Sequence, residues 1–162
     1  MKAIKGSYLM AFVEVDNAMK AIAMASSHSL KVSADAKETT SKDSGGKFQT
    51  SEYGITSWEA TSENAYTVAS SEATNPGLTY DDLLDMMLEQ KTVTLVLGMA
   101  SQHQGTTTVD EVPSTGWTPG TGCRTGKALI TSIDLNMPND DKASFTVTFT
   151  GTGPLTKYTP AA

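Results

Sequence analysis

Near the C-terminal end, Phe145, Val147 and Phe149 alternate with Thr146, Thr148 and Thr150. Strict alternation of large apolar with β-branched polar residues suits a pleated strand with one buried face, and it does not match the 3.6-residue period of an amphipathic helix. The pattern recurs along the chain. Leu30, Val32, Ala34 and Ala36 alternate with Lys31, Ser33, Asp35 and Lys37, predicting a half-buried strand. Val93, Leu95 and Leu97 share a face, and so do Leu129, Ile133, Leu135 and Met137. Hydrophobic residues at 38% against charged residues at 19% are too many for a disordered chain, and the Ser and Thr content is too high for a helical bundle. A β-dominated fold follows. The 162 residues suffice for one core, so a single domain over 1–162 is expected.

Turn chemistry orders these strands. Tyr8 to Val15 is apolar on both sides of a period-2 reading, Asp16-Asn17 is a turn, and Met19 to Met24 resumes the apolar run, which predicts a hairpin buried on both faces. From Glu38 to Lys47 no large apolar residue occurs, and Gly45-Gly46 marks an exposed tip. Phe48 to Thr61 returns to a strand pattern, but its apolar set changes phase between Ile55 and Trp58, predicting a β-bulge near Gly54–Ser57. The two strands and their loop make one long hairpin. Asn75-Pro76-Gly77 reads as a turn before the one helix. There Thr79 is the N-cap, Asp82 stands three residues on, and Tyr80, Leu83, Leu84, Met87 and Leu88 form an apolar face to lie on a sheet. Residues 101–126 are a long Gly-, Thr- and Pro-rich stretch, and residues 137–142 connect the last two strands as a hairpin.

No catalytic or metal-binding motif assembles from the remaining residues. The run Gly120-Thr-Gly-Cys-Arg-Thr-Gly-Lys127 resembles a phosphate loop, but Thr121 and Ala128 occupy the places of its first Gly and its Ser/Thr, and a strand follows where a helix is required. His28 and His103 have no acidic or thiol neighbour at metal-ligand spacing. Cys123 has no partner for a disulfide and no nearby His to hold it as a thiolate. The carboxylate pairs Asp81-Asp82, Asp110-Glu111 and Asp140-Asp141 are adjacent residues whose side chains diverge, so they read as caps and solvated turns. Trp58 and Trp117 read as core or interface anchors. No enzyme activity, cofactor or metal is expected.

Charge narrows the partners. A net charge of −6 argues against nucleic-acid binding by phosphate neutralisation. Residues 1–50 carry seven Lys against five acids, whereas residues 51–120 carry only Lys91 against ten acids. Such asymmetry suits head-to-tail contact between like subunits. At the N-terminus Glu14 and Asp16 interrupt the apolar run, so residues 1–16 read as mature structure and not as a secretory signal. No segment approaches the ~20 apolar residues of a membrane-spanning helix, and no membrane partner is expected.

The order of these features resembles the major tail tube proteins of long-tailed, siphophage-type bacteriophages. The resemblance is carried by Thr39-Thr-Ser-Lys-Asp-Ser-Gly-Gly46 followed by Tyr53-Gly-Ile-Thr-Ser-Trp58, by the capped helix leading into Lys91-Thr-Val-Thr-Leu-Val-Leu97, and by two closing segments. Those are Gly126-Lys-Ala-Leu-Ile-Thr-Ser-Ile-Asp-Leu135 and Ala143-Ser-Phe-Thr-Val-Thr-Phe-Thr-Gly-Thr-Gly-Pro-Leu155, and the likeness spans roughly residues 28–155. It implies a mainly β, tail-tube-like sandwich or barrel with one α-helix packed on the sheet and a long protruding hairpin.

It also implies subunits that join in rings of six, stacked into a tube through which DNA leaves the capsid without being specifically bound. Tape-measure and tail-initiator or terminator proteins are the implied partners, in a virion tail assembled in the bacterial host cytoplasm. Strand edges that are an aggregation hazard in a monomer become contacts in a ring. The subunit and ring contacts are expected at Lys31, Lys37, Thr39, Lys42, Asp43, Gly45, Gly46 and Lys47, with the lysines facing acids of an adjoining subunit. Two rival readings remain at this stage. One is the inner tube of a contractile tail, secretion or injection machine; the other is a secreted β-sandwich adhesin or carbohydrate-binding module that uses Trp58 or Trp117 as a sugar platform.

Overall fold

The computed structural model describes residues 1, 3–68, 77–105 and 109–160. Seven strands, β1 (Leu9–Val15), β2 (Ala18–Ala21), β3 (Ala25–Glu38), β4 (Ser51–Ala65), β5 (Thr92–Met99), β6 (Arg124–Asn136) and β7 (Ser144–Lys157), form one sheet in the order β2-β1-β5-β6-β7-β4-β3. Every neighbouring pair is antiparallel. Asp16 and Asn17 both take positive φ between β1 and β2, the left-handed geometry a tight two-residue hairpin needs and these residue types tolerate.

The sheet curls about one face. There Ala11, Val13, Val93, Leu95, Ala128, Ile130, Phe145, Val147, Phe149, Trp58 and Ala60 make one buried cluster, which Ile22, Leu78 and Leu83 join. Burying an aromatic or aliphatic side chain of this kind is worth about 1.5–3 kcal/mol. The Trp58 ring lies against Gly126 and Gly151, where a Cβ would stand 2.7 Å and 2.2 Å from indole atoms, so only glycine fits beneath it. Two buried polar groups on this face satisfy each other: Ser62 Oγ donates to Asn64 Oδ1 at 2.7 Å, and Asn64 Nδ2 donates to the Ser62 carbonyl at 3.1 Å.

The expected helix is α1 (Tyr80–Leu88). Asp82 accepts from the Thr79 backbone N–H at 3.0 Å and from the Thr79 hydroxyl at 3.1 Å, which fixes the first turn. Leu83 is fully buried, and Tyr80 meets Phe145 edge to face at 5.4 Å. Asn75 and Pro76 of the expected preceding turn lie outside the described residues.

The opposite face has a second buried apolar cluster at the β1/β5 end. Phe12, Val96, Ala100 and Cys123 are buried there beneath Trp117. That covering is what the long polar stretch does. Gln102 and Gln104 clamp it: Gln102 Oε1 accepts from the Thr118 N–H at 3.2 Å, Gln104 Oε1 accepts from the Thr121 N–H at 2.9 Å, and Gln104 Nε2 donates to the Thr121 carbonyl at 2.7 Å. The stretch is also shorter than expected, because β6 already begins at Arg124.

The expected shared face of Leu129, Ile133, Leu135 and Met137 is corrected. Ile130 pairs with Phe149 and Ser132 with Thr148, so Thr131 is an extra residue that flips the phase. Ala128 and Ile130 therefore face the core before the bulge, and Ile133 and Leu135 face it afterwards. Leu129 and Met137 are exposed.

Candidate assembly surfaces

β4 pairs with β7 only from Glu59 to Ala65, so residues 51–58 run on beyond the sheet with β3 as their sole strand partner. At about 3.3 Å per residue this is a projection of roughly 25 Å. The hairpin is closed by threonines: the Thr39 N–H donates to the Thr50 carbonyl at 2.9 Å, and the Thr50 N–H donates to Thr40 Oγ1 at 3.1 Å. Gly45 and Gly46 both adopt positive φ, near 70°, at the tip. The predicted bulge is present, since Ala34 pairs with Thr56 but Ala36 with Tyr53, leaving Gly54 and Ile55 opposite Asp35.

The expectation that β3 is half-buried is corrected. Its apolar residues lie on the core side of the sheet, with Leu30 opposite Ala60 and Val32 opposite Trp58, yet Leu30 is 40% and Val32 55% exposed. The period-2 pattern assigned the face correctly, but the chain's own core stops short of the hairpin.

The eight expected contact residues all lie on or beside this hairpin, and all eight are exposed. Lys31 stands directly across from Glu59, and Lys37 directly across from Glu52, so both have an in-chain carboxylate on the same side of the ladder. Lys42, Asp43 and Lys47 are exposed around the tip. Three residues that charge counting passed over dominate the projecting end: Phe48 is 83%, Tyr53 90% and Ile55 75% exposed. Their signal was present in the sequence as large apolar residues beside a polar loop.

Among the described residues the fourteen-residue β3 has no strand on its outer edge, whereas the end of the four-residue β2 is met by Leu78, whose N–H donates to the Ala21 carbonyl at 2.8 Å. The curl brings the start of β3 toward β1. Between them lies a cleft of about 610 Å³, lined by Leu9, Met10, Ile22, Met24, His28 and Trp117 among others, with no charged side chain among the described residues of its wall. His28 is opposite Ser62 on the core side, and its Nδ1 is buried without a hydrogen-bond partner among the described residues. Burial holds its imidazole below the ordinary histidine pKa.

The residues weighed for chemistry have structural roles. Cys123 is buried, its Sγ donates to the Met99 carbonyl at 3.4 Å, and burial raises its pKa, the opposite of what a nucleophile needs. His103 is stacked between Tyr8 at 4.4 Å and Trp117 at 4.6 Å, which ties the segment after β5 to the N-terminal turn. Trp58 is 5% exposed. Trp58 therefore presents no free face as a sugar platform, while Trp117 is half-buried, stacked on His103 and set in the wall of the cleft. Among the described residues no group of three or more His, Cys, Asp or Glu side chains converges on a metal-sized site.

No protein-family model matches the sequence, and no curated protein matches it. Solved structures do. A chain of the native gene transfer agent virion aligns with 97% of this chain and 100% of its own length, at TM-score 0.69 and 16% identity. A chain from the tail of the empty gene transfer agent particle, determined with C6 symmetry, aligns over the same shares at TM-score 0.72 and 16% identity. A chain of the SPP1 tail tube aligns with 96% of this chain and 78% of its own, at TM-score 0.65 and 8% identity. The chain therefore has the fold found in these tails, over nearly its whole length.

Proposed function

We propose that this protein is the structural subunit of a phage-like tail tube, forming rings of six that stack into a conduit for DNA. The observation that carries the reading is the match to a chain of a six-fold symmetric tail, complete over that chain and 97% of this one. Features of this molecule support it independently. A projecting hairpin with exposed apolar residues, and a β3 edge that no strand among the described residues pairs, suit a protein whose work is self-association. The role is non-enzymatic, in a virion tail assembled in the host cytoplasm, with a tape-measure protein setting length and initiator and terminator proteins closing the ends. Acidic overall charge suits a conduit, because a basic lumen would retain DNA.

Within this reading the hairpin carries subunit contacts through Thr39, Gly45 and Gly46 and through the charged residues Lys31, Lys37, Lys42, Asp43 and Lys47. Lys42 and Lys47 reach farthest toward acids of a neighbour, since Lys31 and Lys37 already face Glu59 and Glu52. Negative-stain electron microscopy of the purified protein at high concentration tests the proposal. Rings and tubes are expected, and a deletion of residues 39–46 is expected to stop stacking. A protein that stays monomeric at millimolar concentration, with no rings, would sink it.

A further inference from the structure

The same chain carries an apolar projection and an apolar cleft, and they lie at opposite ends of β3. His28 in the cleft wall and Glu38 at the base of the tip are ten residues apart in one continuous strand. That is on the order of 33 Å, so a subunit does not fill its own cleft with its own tip. Phe48, Tyr53 and Ile55 stand at the projecting end, Tyr53 opposite Ala36 and Ile55 in the bulge opposite Asp35; each is at least three-quarters exposed, and none of the described residues covers them. At the cleft rim Met24 is 59% and Val112 42% exposed, so the recess has an apolar lip as well as an apolar wall. Exposed apolar surface of this extent beside polar residues marks a contact site.

We infer that the apolar end of the hairpin on one subunit seats in the cleft between β1 and β3 of a subunit in the adjoining ring. The inference rests on the tube reading above and adds to it the chemistry and the address of the axial contact. A second copy of this chain is the occupant for three reasons. Among the described residues the cleft wall holds no charge and the three knob residues hold none, so the two surfaces match in polarity. Knob and cleft are different patches of one chain, which makes the contact heterologous; such a contact builds an open stack when its operator does not close, as a displacement along the tube axis does not. The displacement between them runs along β3, the direction in which the hairpin already projects. Charge at Lys42 and Lys47 then steers approach, while seating the aromatic and aliphatic side chains holds the rings together.

The test uses the full chain in three forms. The first is wild type. The second is Phe48→Ser with Tyr53→Ser and Ile55→Ser. The third is an equal mixture of Phe48→Cys protein with Met24→Cys protein, treated with the cross-linker bismaleimidoethane after assembly, with Val112→Cys as an alternative partner. The buried Cys123 keeps the wild-type background silent. The triple variant is expected to keep the wild-type circular dichroism spectrum and melting temperature and to form isolated rings, with tube length reduced at least tenfold. The cysteine mixture is expected to yield covalent dimers that neither variant yields alone. Wild-type-length tubes from the triple variant, or tubes from the mixture without those dimers, overturn this inference and leave the tube reading standing. Absence of rings and tubes from wild type overturns both.

Discussion

The indole Nε1 of Trp58 donates to the carbonyl oxygen of Gly153 at 3.0 Å, joining positions 95 residues apart in sequence. With Gly126 and Gly151 beneath its ring, Trp58 anchors the root of the projecting hairpin to the two central strands.

Trp58→Ala should therefore destabilise the fold by about 3–5 kcal/mol, in the range for truncating a large buried aromatic. Trp58→Phe should cost less, because it keeps most of the packing and loses the hydrogen bond. Gly151→Val should also be strongly destabilising, since its Cβ would stand 2.2 Å from the indole. Urea denaturation followed by tryptophan fluorescence and circular dichroism measures all three, and an unchanged midpoint for Gly151→Val would refute the packing argument.

Helix capping makes a smaller, separable contribution. Asp82→Ala removes the acceptor of both the Thr79 N–H and the Thr79 hydroxyl, and about 1 kcal/mol of stability should go with it. Asp81→Ala, one residue earlier and without a side-chain bond to Thr79, should cost less. Parallel urea curves distinguish the two.

His28 gives stability a pH dependence with a definite sign. Its folded pKa lies below the unfolded value because burial disfavours the charged ring, so the unfolded chain takes up the proton first as pH falls. Its contribution is complete above the unfolded pKa, near 6.5, and is lost as pH descends through the lower folded pKa. No charged side chain among the described residues of the cleft wall offsets this. The urea midpoint of wild type should fall between pH 7 and pH 5 more steeply than that of His28→Gln.

Charge at the hairpin tip should act on assembly rate. Light scattering after a concentration jump should show slower growth for Lys42→Glu with Lys47→Glu, and slower growth of wild type at raised salt, because exposed charges are screened beyond about 10 Å at 0.1 M. Tubes should still form in both cases, since the apolar tip residues are untouched. A growth rate indifferent to both changes would remove the electrostatic part of the contact.

The strands, the opening two-faced hairpin, the capped helix and the bulge at Gly54 were legible because each rests on local chemistry: alternation, turn residues, a Thr-x-x-Asp cap, a phase change. What escaped was set by distant partners. The Thr131 bulge displaced Leu129 from the core, and no residue near it announces a bulge; it shows only in the register against β7. Leu30 and Val32 were assigned the right face, but their burial depends on how far the core extends, which alternation does not encode. The expected contact residues were read through the lysines of this hairpin; Phe48, Tyr53 and Ile55 were visible as large apolar residues near a polar loop, but their exposure shows only in the structure. The cleft, built from β1, β2, β3 and the segment around Trp117, was invisible in any one stretch of sequence.

The strand order has a consequence for synthesis. The first two hairpins to leave a ribosome, β1-β2 and β3-β4, occupy the two outer ends of the sheet, and β5, β6 and β7, made last, fill the space between them. β1 gains its inner neighbour once β5 (Thr92–Met99) is made, but β4 has none until β7, the last strand, has been translated. A product truncated before Ser144 thus leaves β4 without β7 and exposes a strand edge that is paired in the finished protein. Early termination should consequently yield sticky fragments, and demand for chaperone protection should peak just before translation ends.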